Sequence, residues 1–139
     1  MREGGGGMKD EGGGMREEES PLRQRTKAYA LRIIKLYTAL PRAEQAQVIG
    51  HQLLRSGTSV GANYREGYRA RSDAEMAAKF SICIQELDET AYWLELLIEA
   101  GLVAESLLAP LLDETNQLIA MFTSAVRKLR RKNDQGKQQ

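Results

Sequence analysis

The sequence has little of what catalytic and metal sites are usually made from. It contains one cysteine, Cys83, and one histidine, His51. A lone cysteine excludes an intramolecular disulfide framework and any Cys-x-x-Cys motif, and it suits a reducing compartment. With a single histidine beside it, a zinc site would have to rest on carboxylates, against the preference of zinc for nitrogen and sulfur. Di-metal carboxylate bundles need two Glu-x-x-His pairs, yet Val48 stands three positions before His51. That class is excluded. Charge of one sign is also missing: 20 Lys and Arg against 19 Asp and Glu leave a formal +1, so bulk charge does not mark a polycation. No apolar run approaches the roughly 18 residues of a membrane span. The start, Met1-Arg2-Glu3-Gly4, has neither an apolar signal core nor a glycine at position 2, which points to the cytoplasm.

What is present is helical. Alanine and leucine dominate from Leu22 onward, and no strand-period alternation of useful length appears. The three prolines, Pro21, Pro41 and Pro110, fall at or near the starts of candidate helices, where a missing N–H costs least. Residues 1–21 hold seven of the 13 glycines and no apolar residue except methionine, so burial cannot offset their ordering entropy. A disordered extension is expected there, with Met8 and Met15 as alternative translation starts.

Four apolar stripes follow, alternating steps of three and four. The first, over about Arg23 to Leu40, uses Leu22, Thr26, Tyr29, Ile33, Leu36 and Leu40. The second, over about Arg42 to Arg71, uses Ile49, Leu53, Ser56, Val60, Asn63 and Gly67, turning small and polar halfway along. The third opens at the capping box Ser72-Asp73-Ala74-Glu75 and stops at Gly101, with Phe80, Ile84, Leu87, Ala91, Leu94 and Ile98 between them. The fourth, over about Glu105 to Lys132, uses Leu108, Leu111, Thr115, Leu118, Phe122, Ala125 and Leu129. Short connections close four such helices most simply as an all-α, antiparallel up-down-up-down four-helix bundle over residues 22–132, followed by a basic and polar tail at 133–139.

Gly57 and Gly61 share one face of the second helix, with Gly50 two turns earlier. Each glycine costs about 1 kcal/mol against alanine in a helix interior, so the expected compensation is close approach of a neighbouring helix. The alternative is a break over Ser56 to Gly61. A phosphate-cradling loop is less favoured still, because the Gly-Lys-Ser/Thr signature is absent. Glu66, Glu86 and Glu89 are expected to be exposed or joined in a network with Asn63 and a neighbour such as Tyr92 or Ser59. Nothing near them supplies a nucleophile or a cleft, so no catalytic residue, metal or cofactor is expected.

Two basic groups break the neutral average. Arg65, Arg69 and Arg71 end the second helix, with Tyr64 and Tyr68 interleaved. Arg127, Lys128, Arg130, Arg131, Lys132 and Lys137 end the fourth, where Asp134 is the lone acid. In an up-down bundle these helix ends coincide and suit phosphates. The plain alternative is a solvated end that satisfies helix dipoles.

The run Ser56-Gly57-Thr58-Ser59-Val60-Gly61-Ala62-Asn63-Tyr64-Arg65-Glu66-Gly67, with Lys79-Phe80-Ser81-Ile82 and Glu86-Leu87-Asp88-Glu89-Thr90-Ala91-Tyr92-Trp93-Leu94, resembles the bacterial 23S ribosomal RNA intervening-sequence proteins. The resemblance runs from about Leu31 to Lys132. It implies a small bundle that assembles as a homopentamer without enzymatic activity, some relatives acting as accessory proteins that contact nucleic acid and a reverse transcriptase. It also implies packing or assembly roles for Ser59, Ala62, Asn63, Glu66, Gly67, Glu86, Glu89 and Trp93. Apolar positions outside the seams, Tyr92, Leu96, Leu97 and Leu112, fit a subunit interface. The expected function is therefore an oligomeric, RNA-associated or other nucleic-acid-associated assembly protein. The alternative is a protein-interaction scaffold or accessory subunit.

Overall fold

The computed structural model describes residues 20–138, and the expected disordered extension lies, but for Ser20 and Pro21, outside them. Four helices follow in chain order: α1 (Pro21–Ala39), α2 (Glu44–Tyr68), α3 (Asp73–Glu99) and α4 (Glu105–Gln138). Pro21, expected in the extension, is instead the first residue of α1, where its fixed φ suits the helix and its missing N–H is no loss. Ser72 caps α3 by accepting the Glu75 N–H at 3.1 Å, while the Glu75 carboxylate turns back to accept the Arg71 N–H at 3.2 Å. At the other end Gly101 takes a φ of 74°. The Gly101 N–H reaches the Ile98 carbonyl and the Leu102 N–H the Leu97 carbonyl, the paired bonds of a Schellman stop.

Two helix ends differ from the sequence expectation. Helix α2 stops at Tyr68, so Arg69 to Arg71 form the turn into the Ser72 cap rather than its last residues. Helix α4 continues through Gln138, and residues 133–138, expected as a tail, extend it. Its Pro110 lies in the second turn, where it withholds one hydrogen bond from the Ser106 carbonyl.

Cross-helix contacts fix the antiparallel alternation. Thr26 faces Gly61 and Leu40 faces Gly50 across α1 and α2. Between α2 and α3, Gly67 faces Phe80 and Ser56 meets Thr90, while Lys132 of α4 reaches Asp73 of α3. Tyr29 and Thr115 close the ring between α1 and α4. The apolar stripes supply the core, including fully buried Ile33, Leu53, Val60, Leu87, Leu94, Leu118 and Phe122. Leu97, expected at a subunit interface, is fully buried in this core because α3 packs against both α2 and α4.

The polar turn in the second stripe has a physical reason. Each helix carries one hydroxyl side chain with no exposed surface at all: Tyr29, Ser56, Thr90 and Thr115. The Thr115 hydroxyl donates to the Leu111 carbonyl at 2.8 Å, leaving its oxygen to accept the Tyr29 hydroxyl at 2.6 Å. In the same way Thr90 donates to the Glu86 carbonyl at 2.7 Å and accepts from Ser56 at 2.8 Å. Unpaired, such groups would cost about 1–3 kcal/mol each; paired, they favour one register among the helices.

Burial pushes the Tyr29 hydroxyl up to about 12, against the lowering effect of its Thr115 and Thr90 hydrogen bonds. Burial likewise raises the Cys83 thiol to about 12. Both groups hold their protons longer in the folded chain than in the unfolded one, so their contribution is complete below about pH 9 and declines as pH rises toward about 12. Urea midpoints should therefore hold steady from neutral pH to about 9 and then fall. In Cys83→Ala the onset should move toward about pH 10, where Tyr29 alone begins to act. An onset unchanged by the substitution would contradict this assignment.

Candidate nucleic-acid interface

The fold places the glycines in two relations. A Cβ at Gly57 would stand 2.7 Å from Ile33 Cγ1, one at Gly50 2.6 Å from Leu40 Cδ1, and one at Gly67 2.9 Å from both Lys79 Cβ and the Phe80 ring. At Gly61 the nearest atom, Thr26 Oγ1, would be 3.4 Å away, an ordinary contact. Residues 56–61 are helical throughout.

The remaining residues of the family-like run fall into two surface clusters. Ser59 donates to the Ser56 carbonyl, and Asn63 donates to the Ser59 carbonyl at 2.9 Å, so Asn63 engages its own helix and not Tyr92. Glu66 pairs with Lys79 at 2.7 Å, and Ala62 is exposed. Further along α3, Glu86 and Glu89 both receive Arg55 of α2, Glu86 at 3.2 Å. The Trp93 indole N–H donates to Glu89 at 3.0 Å. Arg55 was not legible as the partner of these acids, because its face of α2 is otherwise unremarkable; it stands among exposed Gln52 and Val48. A guanidinium shared by two carboxylates is a structural clamp that leaves neither acid unpaired. The exposed Tyr92 ring packs edge-on against Trp93 at 5.0 Å, and exposed His51 lies against Tyr37 at 5.6 Å.

The alternation brings the basic groups to one end of the bundle. Arg65 is half-buried in the last turn of α2, and Arg69 and Arg71 are exposed in the turn that follows. Arg127, Lys128 and Arg131 of α4 are exposed, Arg130 donates to the Ser81 hydroxyl at 3.3 Å, and Lys132 lies 3.6 Å from Asp73. These contacts put the last third of α4 alongside the first turns of α3. The first turns of α1 share this end and add Arg23, Arg25 and Lys27, which sequence reasoning passed over. Of these, Arg25 is committed elsewhere: its guanidinium grips both Glu114 oxygens, at 2.7 and 3.0 Å, and donates to Gln117. Its pKa is raised by that hydrogen bond.

Among the described residues no group of histidine, cysteine or carboxylates could hold a metal ion, and no helix is long and apolar enough to cross a membrane.

Hydroxyl-keyed helices, a glycine-notched α2 and one cationic end define a small four-helix bundle. The chain belongs to the 23S rRNA-intervening sequence protein family, whose model matches residues 18–124. It is also similar to a crystallised protein of unknown function from the S23 ribosomal protein family of Bacteroides thetaiotaomicron, with 33% identity and a TM-score of 0.72 over 76% of this chain and 97% of that one. No curated protein matches the sequence.

Proposed function

We propose that this protein is a non-enzymatic, cytoplasmic homo-oligomer, a pentamer by family analogy, that associates with RNA or another nucleic acid through the basic end of its bundle. The observation that carries the reading is the convergence of α1, α2 and α4 cations on one end of a chain whose net charge is only +1. Phosphate contacts of this kind supply affinity without sequence preference and weaken as salt releases the counterion advantage. Assembly into a ring would repeat each weak contact and convert it into avidity. Exposed Leu31, Ile34, Val48, Tyr92 and Leu107 offer apolar surface for such an assembly.

A second reading, a protein-interaction scaffold, is favoured by one feature. The groove between the second half of α1 and the start of α4, about 420 Å³, is lined by Leu36, Leu40, Val103, Leu108 and Leu111, with Leu107 71% exposed on its lip. Such a groove suits an apolar helix face.

Titration with a structured RNA at two salt concentrations tests the first reading. Replacing Arg127, Arg130 and Arg131 by glutamine should weaken binding at low salt by tenfold or more and flatten the log–log salt slope by roughly 2 to 3, close to one counterion per lost contact. Native mass should be about five times the 15.5 kDa chain. Unchanged RNA affinity in the triple variant would reject the basic end, and a stable monomer at micromolar concentration would reject assembly.

A further inference from the structure

The seam between α1 and α2 differs from the other helix seams in how it treats charge. Where α1 meets α4, Arg25 is paired with Glu114. Where α2 meets α3, Arg55 is paired with Glu86 and Glu89, and Lys79 with Glu66. Across the α1–α2 seam Arg23 and Lys27, one turn apart on α1, face Arg65 of α2 over a groove of about 300 Å³ that no carboxylate lines. None of these three cations has an ion-pair partner among the described residues. Like charges gathered without an acid raise the local potential and disfavour the empty state, and an anion would relieve it.

The groove's floor argues the same way. It is formed by Ala30, Gly61 and Ala62, so nothing large fills the space between the cations. Gly57 and Gly67 are required by packing, since a Cβ at each would come within 3 Å of Ile33 of α1 or of Lys79 and Phe80 of α3. Gly61 is not, because a Cβ there would sit in ordinary contact with Thr26. A helix-interior glycine that packing does not demand is an uncompensated cost unless the open floor is itself used. Both hydroxyls on the walls are spent within their own helices, Thr26 donating to the Arg23 carbonyl and Thr58 to the Leu54 carbonyl at 2.7 Å. Recognition is therefore left to the guanidinium and ammonium groups, which suits an oxyanion that only accepts hydrogen bonds.

We infer that the α1–α2 groove binds a phosphate group, held between Arg23, Lys27 and Arg65 and seated over Gly61. As the carrier of that phosphate the backbone of an RNA strand follows from the function proposed above, and only that choice of carrier rests on it; a free phosphorylated small molecule has the same chemistry.

Two probes distinguish the carriers: inorganic pyrophosphate and a single-stranded oligoribonucleotide, each titrated into the full chain at low salt while backbone amide resonances are followed. At millimolar pyrophosphate the Thr58, Gly61 and Arg65 amides should shift, and a Lys27→Gln/Arg65→Gln double variant should lose at least tenfold in affinity for whichever probe binds. Gly61→Ala gives the sharper test, because it should raise Tm by several degrees through helix propensity while lowering affinity severalfold. A variant that is both more stable and a weaker binder cannot be explained by damage to the fold. If pyrophosphate binds in the groove and RNA does not, the phosphate site stands and the nucleic-acid reading falls. RNA binding that ignores Lys27, Arg65 and Gly61, or amides unmoved by either probe, would overturn the site, and in the first case would leave the basic end of α4 as the RNA contact.

Discussion

Gly57→Leu is expected to strip the bundle of a large part of its stability. The argument is steric. A Cβ at position 57 would already lie 2.7, 3.0 and 3.1 Å from three carbons of Ile33, a side chain with no exposed surface and no room to retreat. Three further carbons would have to enter the same space. Overpacking a close-packed core costs about 1–3 kcal/mol where repacking absorbs it and more where it does not, against a total stability of about 5–15 kcal/mol for a domain. Because the bare α2 backbone at Gly57 is filled by the buried Ile33 side chain of α1, the relief available is separation of α1 from α2, which also strains the Tyr29 and Thr115 pairing on the far side of α1. A loss of about 4 kcal/mol or more follows, read as a collapsed urea midpoint by far-UV circular dichroism. Adding Ile33→Ala to Gly57→Leu should restore part of it, since the second substitution empties the volume the first overfills. Full stability in Gly57→Leu alone would mean that α1 does not cross α2 there.

This is also where the sequence was most informative. Glycine spacing on one face of α2 announces a close approach, and the three-four alternation of Leu22, Thr26, Tyr29 and Ile33, or of Leu111, Thr115, Leu118 and Phe122, announces which face turns inward. Both are local properties of a single helix. What a single helix cannot encode is which residue on another helix it meets. Ser56 and Thr115 stand on their stripes by spacing alone, but that Ser56 meets Thr90, and Thr115 meets Tyr29, depends on the relative heights of the helices. Helix ends were less legible for a related reason. Asn133, Asp134 and Gly136 are poor helix formers, yet the chain stays helical past Lys132, where the preceding turns are anchored on α3 through Arg130 and Lys132. Leu97 stands outside the seam that spacing defines on α3, yet it is buried because α3 packs against two neighbours.

The same distinction divides the candidate surfaces. The cations of α4 form a run and are visible as composition. Arg23 and Lys27 stand close together around Arg25 in the sequence, but Arg65 comes thirty-eight residues after Lys27, and only the antiparallel pairing of α1 with α2 brings it to them. Conversely Glu86 and Glu89 drew attention as a pair of acids, but Arg55, thirty-one residues before Glu86, neutralises both.

Phe122→Ala should cost about 3–5 kcal/mol, the usual range for emptying a buried aromatic position. Phe122 has no exposed surface and meets Phe80 edge-on at 5.3 Å and Tyr64 at 6.2 Å, while Tyr64 stacks on Phe80 at 5.7 Å. One ring comes from each of α4, α3 and α2, so the cluster is the joint that holds those helices together just inside the basic end. Arg65 follows Tyr64 directly, and Phe80 is the ring that Gly67 is bare enough to admit. Truncating Phe122 leaves a cavity that only a shift of all three helices can close, and that shift moves the cations they carry. RNA affinity should therefore fall together with the urea midpoint, even though Phe122 touches no solvent. Phe122→Leu, which keeps most of the volume, should cost about 1 kcal/mol and leave the affinity near that of the natural chain. Were the alanine variant to lose its stability and keep its full affinity, the cations would not depend on the helix spacing that this joint sets, and RNA contact would have to come from α4 alone.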